Sequence, residues 1–362
     1  MQDQSQSPAT GRRGRRIPEL DALRGLAVLM VMIYHQNHAW LPGGGKMGVG
    51  LFFVLSGFLI TSILVRERER RGAIRLGAFY ARRVRRLLPA LAGFCAGWWL
   101  WVNATPTAWA GIDGAQRLNL SILQAATFTS NLARLFDWEI FPYFRHAWSL
   151  AVEEQFYLVW PAVLLLLFGL RSGRARVGWV LGIAAALALV RLWLWSRGVS
   201  YKVLYDTMQW DGLLLGCALA LSPRLALPRW TVVPAVVAFV ALLAIHKSAL
   251  PQFATLDFVV QALSCAVILH HAVRWHWLAQ PLLVHLGLIS YSLYLWHYPF
   301  TKMWDWWIAV PASLAAAELS YWLVERSFYR ARGSPARSSA LVAWAARKLG
   351  KAGVTVEGAG NR

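Results

Sequence analysis

Residues 20–38 read LDALRGLAVLMVMIYHQNH and form the first hydrophobic segment of the chain. The segment is apolar enough to span a bilayer, yet it carries Arg24 near one end and His35 near the other. Ionisable side chains inside a membrane segment are costly, and by default they indicate a functional site. Their separation by 11 positions corresponds to about three helical turns and a rise of roughly 16 Å. Arg24 and His35 are therefore predicted to share one helix face.

A second interpretation of this segment requires no site. Arg24 would extend to the lipid headgroups, with Asp21 three residues earlier neutralising its charge, and His35 would cap the far interface. The segment alone does not separate the two interpretations.

Composition places the chain among polytopic, all-α membrane proteins. Of its 362 residues 57% are hydrophobic and only 15% are charged, whereas soluble domains carry about 25% charged residues. The net charge of +20 resides mostly between apolar runs, where basic residues set topology and contact anionic lipid. Nucleic-acid binding is therefore not expected. Three scattered cysteines inside apolar segments indicate neither a disulfide framework nor a metal site.

Apolar runs and turn signals predict about ten transmembrane helices and no soluble domain. The predicted spans are 20–41, 47–65, 87–104, 147–170, 178–196, 207–222, 231–246, 255–273, 282–300 and 306–324. Residues 115–135 are predicted to lie at the interface without crossing.

The distribution of basic residues predicts the orientation. Basic loops at 66–86, 171–176, 223–230 and 274–276 fall on one side, together with both ends of the chain. The positive-inside rule then predicts that both termini are cytoplasmic and that Arg24 lies on the cytoplasmic side. The expected location is a bacterial-type inner membrane. The expected domains are a basic tail at 1–18, a transmembrane domain at 19–326 and a second basic tail at 327–362. The N-terminal region lacks the short apolar core and cleavage site of a signal peptide.

Five stretches carry a family resemblance. They are LDALRG with Arg24-x10-His35, GVGLFFVLSGF at 48–58, FYARRVRRLLP at 79–89, HAWSLAVEEQFY at 146–157 and GLISYSLYLWH at 287–297. In this order they resemble the membrane-bound acyltransferase-3 family over residues 17–330. The resemblance implies transfer of an acyl group, usually acetyl, from cytoplasmic acyl-CoA to hydroxyls of sugars and related acceptors. No metal is expected.

Two departures from the family pattern concern the end of the chain. Glu325 is followed by Arg326 and Ser327, where the family often has proline two residues after the glutamate. Some members also carry an esterase-like domain after the membrane part, which here would have to be a separate partner protein.

The resemblance and the chemistry of acyl transfer together predict residue roles. His35 is the predicted base, since its ordinary pKa lies near 6.5. Arg24 positions the donor, and Glu154 is grouped with the catalytic residues. Arg83 and Arg86 share a helix face and suit phosphate, but Arg82 and Arg85 repeat their spacing, so the donor pair stays open. Ser56 is assigned to the donor side and is not expected to be a nucleophile.

A further set of residues is predicted to line the site or contact the acceptor. It comprises His146, Trp148, Glu153, Asp211, Tyr294, His297 and Glu325. For Glu153 a purely structural ion network is an equally good interpretation.

The predicted function is O-acylation of a cell-surface or exported glycan by acetyl-CoA or another short acyl-CoA. One alternative within the same chemistry is acylation of a small secondary metabolite such as a macrolide. An alternative of another class is a transporter whose polar span residues line a pathway.

Overall fold

The computed structural model describes residues 17–108, 113–222, 225–245 and 256–326. Within these ranges the protein is built from helices and contains no strand, which confirms the all-α prediction. The α-helices are α1 (Pro18–Gln36), α2 (Gly44–Arg71), α3 (Leu76–Ala104), α4 (Gly114–Ala126), α5 (Ala147–Phe168), α6 (Gly173–Ser196), α7 (Tyr201–Thr207), α8 (Trp210–Leu221), α9 (Val232–Ala244), α10 (Leu256–Ala272), α11 (Pro281–Leu288), α12 (Ser290–Met303) and α13 (Trp306–Ser320). A π-helical turn at Tyr321–Glu325 extends α13.

Several helices have the length and apolar composition of membrane spans. Among the described residues five qualify: α2, α3, α5, α6 and α13 together with its π-helical turn. Helix α1 has 19 residues, but Glu19, Asp21 and Arg24 fall within its first two turns. The predicted spans 207–222 and 282–300 do not form single helices: the first is α8 preceded by α7, and the second divides into α11 and α12. The number of ten spans therefore remains a prediction.

The segment predicted to lie at the interface forms a short helix followed by turns. Helix α4 has 13 residues, which corresponds to about 20 Å at 1.5 Å per residue. That length falls short of the roughly 30 Å hydrocarbon core of a bilayer. Helix α4 packs against α3 through the buried Leu118 and Ala125.

Helix α1 defines the two ends of the site. We name them the Arg24 end and the His35 end. Helix α2 runs antiparallel to α1, because Gly44 lies against the carbonyl of Met30 and Gly48, one turn later, against the carbonyl of Ala27. Helix α12 runs alongside α1 with Ser290 near Arg24 and His297 near His35. Arg24 and His35 of α1 thus each face a polar residue of α12.

The break between α11 and α12 lets the chain approach α1 closely. A Cβ on Gly287 would lie 1.8 Å from the carbonyl oxygen of Asp21, and one on Gly25 would lie 2.1 Å from that of Leu283. Only glycine fits at such contacts. The close approach brings Ser290, the first residue of α12, to Arg24.

A second close crossing joins α2 to α8. A Cβ on Gly57 would lie 1.9 Å from the carbonyl oxygen of Leu213, and one on Gly216 would lie 2.1 Å from that of Val54. The Ser56-Gly57-Phe58 stretch therefore serves helix packing at Gly57. Small residues at such crossings let backbones approach closely, the usual way that membrane helices associate.

Substituting Gly57 by alanine should destabilise the protein, because the added methyl would overlap a carbonyl of the neighbouring helix. We expect a loss of at least 1–3 kcal/mol, the usual cost of overpacking a close-packed core, estimated as an order of magnitude. Gly182→Ala in α6 is the matched control, since nothing lies within 4 Å of its Cβ position. Thermal unfolding of the detergent-solubilised variants measures the difference, and equal melting temperatures would contradict the packing role.

Candidate active site

The histidine pair at the His35 end is formed by α1 and α12. His35 Nδ1 lies 3.0 Å from His297 Nε2, and the two rings stack with centroids 5.2 Å apart. His297 is completely buried, whereas His35 is partly exposed. Tyr298 packs edge-on against His35, and the buried His146 stacks on the other side of Tyr298 with centroids 5.0 Å apart. Three predicted site residues, His35, His146 and His297, therefore form one cluster.

The hydrogen bonds of His297 define which nitrogen of each ring carries the proton. His297 Nδ1 lies 3.1 Å from the carbonyl oxygen of Leu293, which can only accept. Nδ1 of His297 therefore donates, and the lone pair of its Nε2 accepts from Nδ1 of His35. In the neutral pair the lone pair of His35 is then on Nε2. A base held in one tautomer by a second, oriented group is the arrangement found in catalytic triads.

At the Arg24 end, Arg24 and Glu153 occupy the space between α1, α5 and α12. Arg24 donates to Ser290 Oγ from both Nε and Nη2, each at 3.3 Å. Glu153 is close enough to stabilise the charge of Arg24, and its Oε1 accepts hydrogen bonds from Ser56 Oγ at 2.5 Å and from the hydroxyl of Tyr157. Ser56 is thus held by a carboxylate in a buried network.

Glu154 pairs with an arginine and makes no contact with His35. Arg83 Nη2 donates to Glu154 Oε1 at 2.9 Å, and the guanidinium lies 3.8 Å above the ring of Tyr157. His35 is hydrogen-bonded to His297. Glu154 lies beside the arginines of α3, and its catalytic role stays a prediction.

The structure separates the two arginine pairs that the sequence left open. Arg82 and Arg85 are exposed, and Arg82 donates to Glu67 of α2 at 3.1 Å. Arg83 and Arg86 are half-buried and face the network. Arg86 interacts electrostatically with Arg24, with Glu154 and with Glu325. Among the described residues it forms neither a hydrogen bond nor an ion pair. Arg83 and Arg86 are therefore the pair on the site side of α3.

Glu325 belongs to the same network despite the departure from the family pattern around it. It lies in the π-helical turn, is buried, and accepts a hydrogen bond from Ser292 Oγ at 2.5 Å. Single π-helical turns often occur at functional sites.

A small cavity lies at the Arg24 end of the site. Its volume is about 40 Å³. Its walls are formed by Arg24, Val49, Phe52, Phe53, Ser149, Leu150, Glu153, Ser290, Tyr291 and Tyr294. Tyr294 is bonded to Ser149 Oγ at 2.5 Å and donates to the backbone oxygen of His146 at 3.0 Å. It thus connects the lining of this cavity to the histidine cluster, while Trp148 packs nearby against Phe53 and Tyr205.

Asp211 lies in a separate buried network that sequence reasoning missed. Arg191 of α6 donates to both oxygens of Asp211, at 2.6 and 3.2 Å, and is fully buried. Lys46 also forms a buried ion pair with Asp257, to which Tyr201 donates a hydrogen bond at 2.9 Å. The sequence does contain a signal of this network, since two cations and two carboxylates lie inside apolar segments and buried charges must be paired. Asp211 contacts none of the histidines.

Metal ligation and cysteine chemistry find no support in the described parts of the chain. No group of three or more histidine, cysteine or acidic side chains is arranged to hold a metal ion there. Cys95, Cys217 and Cys265 are buried and unpaired.

Comparison with known proteins agrees with the motifs. The sequence profile of a family described as "Acyltransferase domain" matches residues 17–324, which is most of the chain. The chain belongs to this acyltransferase family. The peptidoglycan O-acetyltransferase OatA of Listeria monocytogenes is 31% identical over 356 residues, covering 85% of this chain and 55% of that protein. The O-acetyltransferase OatA of Staphylococcus aureus is 33% identical over 314 residues, covering 79% and 50% respectively.

The acyltransferase family assigned from the sequence motifs is thereby confirmed. The chain spans about half the length of the curated relatives it matches. No solved structure matches it.

The Arg191–Asp211 pair should prove structural. Asp211→Asn leaves a buried guanidinium without its counter-charge, which typically costs about 3–5 kcal/mol. Replacing both partners by apolar residues, Arg191→Met with Asp211→Leu, should restore much of that stability. Unfolding in detergent measures these effects. A selective rise in acceptor KM for stable Asp211→Asn protein would instead assign this residue to the acceptor side.

Proposed function

We propose that the protein is an integral-membrane O-acyltransferase that moves an acetyl or other short acyl group from acyl-CoA to a hydroxyl of a cell-surface or exported glycan. The hydrogen bond between His35 and His297 carries this proposal, since it orients a general base on the same helix as Arg24. Family membership supports acyl transfer. The names of both relatives support acetyl as the transferred group. One of the names specifies peptidoglycan, which supports a glycan as the acceptor.

The proposed reaction uses the lone pair on Nε2 of His35. His35 removes the proton of the acceptor hydroxyl while the hydroxyl oxygen attacks the thioester carbonyl carbon. The carbon–sulfur bond then breaks, and the leaving thiolate of CoA takes the proton from the imidazolium. The products are the ester and free CoA, and His35 is neutral again. A positioned base contributes about 10²–10⁴-fold to such a step.

His297 acts in this scheme as a positioning residue. Its bond to the backbone of Leu293 holds it as an acceptor for Nδ1–H of His35. When His35 takes up the acceptor proton, Nδ1 remains a donor, so the bond to His297 persists throughout the reaction. The completely buried ring of His297 restricts movement of His35 away from the acceptor hydroxyl.

The arginines at the Arg24 end are the proposed donor site. The guanidinium of Arg86 has no ion-pair partner among the described residues. The hydrogen bonds of the Arg24 side chain in that part of the chain go to the hydroxyl of Ser290. The mutual repulsion of Arg24 and Arg86 favours binding of a multiply charged anion between them, as the phosphates of CoA would be. Arg83 is instead neutralised by Glu154 and is proposed to position this region.

Orientation in the membrane follows from the same proposal. Acyl-CoA is a cytoplasmic metabolite, and the exposed Arg82 and Arg85 lie on the arginine-rich first turns of α3, consistent with a cytoplasmic Arg24 end. Both ends of the chain would then be cytoplasmic, and the acceptor would approach from the His35 end.

Substituting His35 by glutamine should lower kcat by about 10²–10⁴-fold, because glutamine keeps a polar side chain but supplies no base. His297→Ala should lower kcat less, by roughly 10–100-fold, as expected for a group that orients another. Acetylation by purified protein with labelled acetyl-CoA measures both.

His270→Ala on α10 is the control for these histidines, since His270 accepts a hydrogen bond from the backbone of Leu227 and lies outside the site. Full activity of His35→Gln would refute the mechanism. Transport of the glycan without any ester product would favour the transporter interpretation.

The two faces of α3 offer a matched test of the donor site. Arg86→Gln should raise the KM for acyl-CoA at least about tenfold, since a hydrogen bond to a charged group contributes roughly 1.5–3 kcal/mol. Arg85→Gln, on the exposed face, should leave it unchanged. Initial rates at varied acyl-CoA and fixed acceptor give the comparison. Equal effects of both substitutions would point to a general role of charge in topology or lipid contact.

A further inference from the structure

Two basic side chains border the His35 end of the site. We call this region the mouth and define it by His35, Tyr298, Lys302 and Arg145. Lys302 Nζ donates to the backbone oxygen of His35 at 3.1 Å and lies 5.6 Å from the centroid of the Tyr298 ring. It also interacts electrostatically with His297. Lys302 therefore brings a positive charge directly beside the histidine pair.

Arg145 borders the mouth near the hydroxyl of Tyr298. It is exposed and immediately precedes His146, whose ring stacks on Tyr298. Its guanidinium interacts electrostatically with the hydroxyl of Tyr298. Tyr298 in turn packs edge-on against His35. Both cations are therefore joined to the proposed base through one aromatic side chain.

Neither cation is neutralised in the described part of the chain. Lys302 and Arg145 form no ion pair with a carboxylate there, whereas several cations inside the bundle do. Lys46 pairs with Asp257, Arg83 with Glu154 and Arg191 with Asp211. Two exposed positive charges without a counter-ion, close to the histidine pair, attract anions and raise their local concentration.

We propose that the acceptor is an acidic glycan whose carboxylate binds Lys302 and Arg145 while the neighbouring hydroxyl faces His35. This inference rests on the proposed function and narrows its substrate class. A guanidinium suits bidentate binding of a carboxylate, and an ammonium acts as a point charge. The two groups therefore select an acidic sugar.

A purely structural role for Lys302 makes a different prediction. Lys302 is in the last turn of α12, where a cation also stabilises the helix dipole and links α12 to α1. If this is its only role, substituting Lys302 should lower activity toward all acceptors equally. Arg145 makes no hydrogen bond among the described residues, so its substitution removes charge without removing a structural contact.

The test uses the full chain reconstituted in vesicles with labelled acetyl-CoA and two matched pairs of acceptors. The first pair is peptide-free peptidoglycan oligosaccharides, which carry a muramic acid carboxylate, and the same chains converted to methyl amides. The second is a hexuronic acid oligomer and its carboxyl-reduced form. We expect kcat/KM for the acidic member of at least one pair to exceed that of its neutral partner about tenfold, and the preference to shrink with added salt.

The variants assign this preference to residues. Arg145→Gln and Lys302→Gln should each remove most of it by raising KM for the acidic acceptor, with little effect on the neutral one. Lys302→Arg should retain it. Arg197→Gln, at an exposed cation that ends α6, is the matched control and should behave as the unsubstituted protein.

Three outcomes overturn the proposal. Equal use of the acidic and neutral members in both pairs would do so, as would an acidic preference that survives both glutamine variants. Hydrolysis of acetyl-CoA without transfer to any of the four acceptors would also overturn the proposed acidic acceptor, but it would be consistent with the proposed donor site. Absence of any acetyl-CoA turnover, with folded protein, would refute the proposed function itself.

Discussion

The high free-energy cost of an ionisable side chain inside a bilayer governs this structure. Helix α1 carries Arg24 and His35 on one face, and each needs a polar partner from another helix. Helix α12 supplies both, Ser290 to Arg24 and His297 to His35. The break between α11 and α12 and the glycine contacts with α1 are what bring those partners close enough. The proposed chemistry therefore depends on how two helices satisfy two polar groups.

The same cost explains why charged residues cluster into separate networks with different partners. Arg191 and Asp211, like Lys46 and Asp257, neutralise each other and form buried ion pairs. Arg86 lacks such a partner among the described residues and lies at the Arg24 end. Paired charges stabilise the bundle geometry, whereas charges without a counter-ion are available to a substrate. This difference distinguishes the proposed donor side and the proposed mouth from the buried ion pairs.

Sequence reasoning was most successful where one helix carried the information. The Arg24 and His35 face follows from helical periodicity alone, and the family follows from five short motifs along the chain. Contacts between two helices do not follow from such patterns. Glu154, which the sequence groups with the catalytic residues, pairs with Arg83, and His35 is hydrogen-bonded to His297. The catalytic role of Glu154 stays a prediction. Arg191, Lys46 and Asp257 were not singled out, because their meaning depends on which charge lies opposite.

The amino-acid sequence by itself determined the all-helical membrane class, the family and the helix face that bears the proposed base, since these depend on composition and on spacing within one segment. Only the tertiary structure decided which arginines of α3 face inward. Arg82 and Arg83 are neighbours in sequence, and only the packing of α3 against α5 and α12 directs one to Glu67 and the other to Glu154. It also decided the proton positions of the histidine pair, because His297, which is hydrogen-bonded to the carbonyl of Leu293, reaches His35 from another helix.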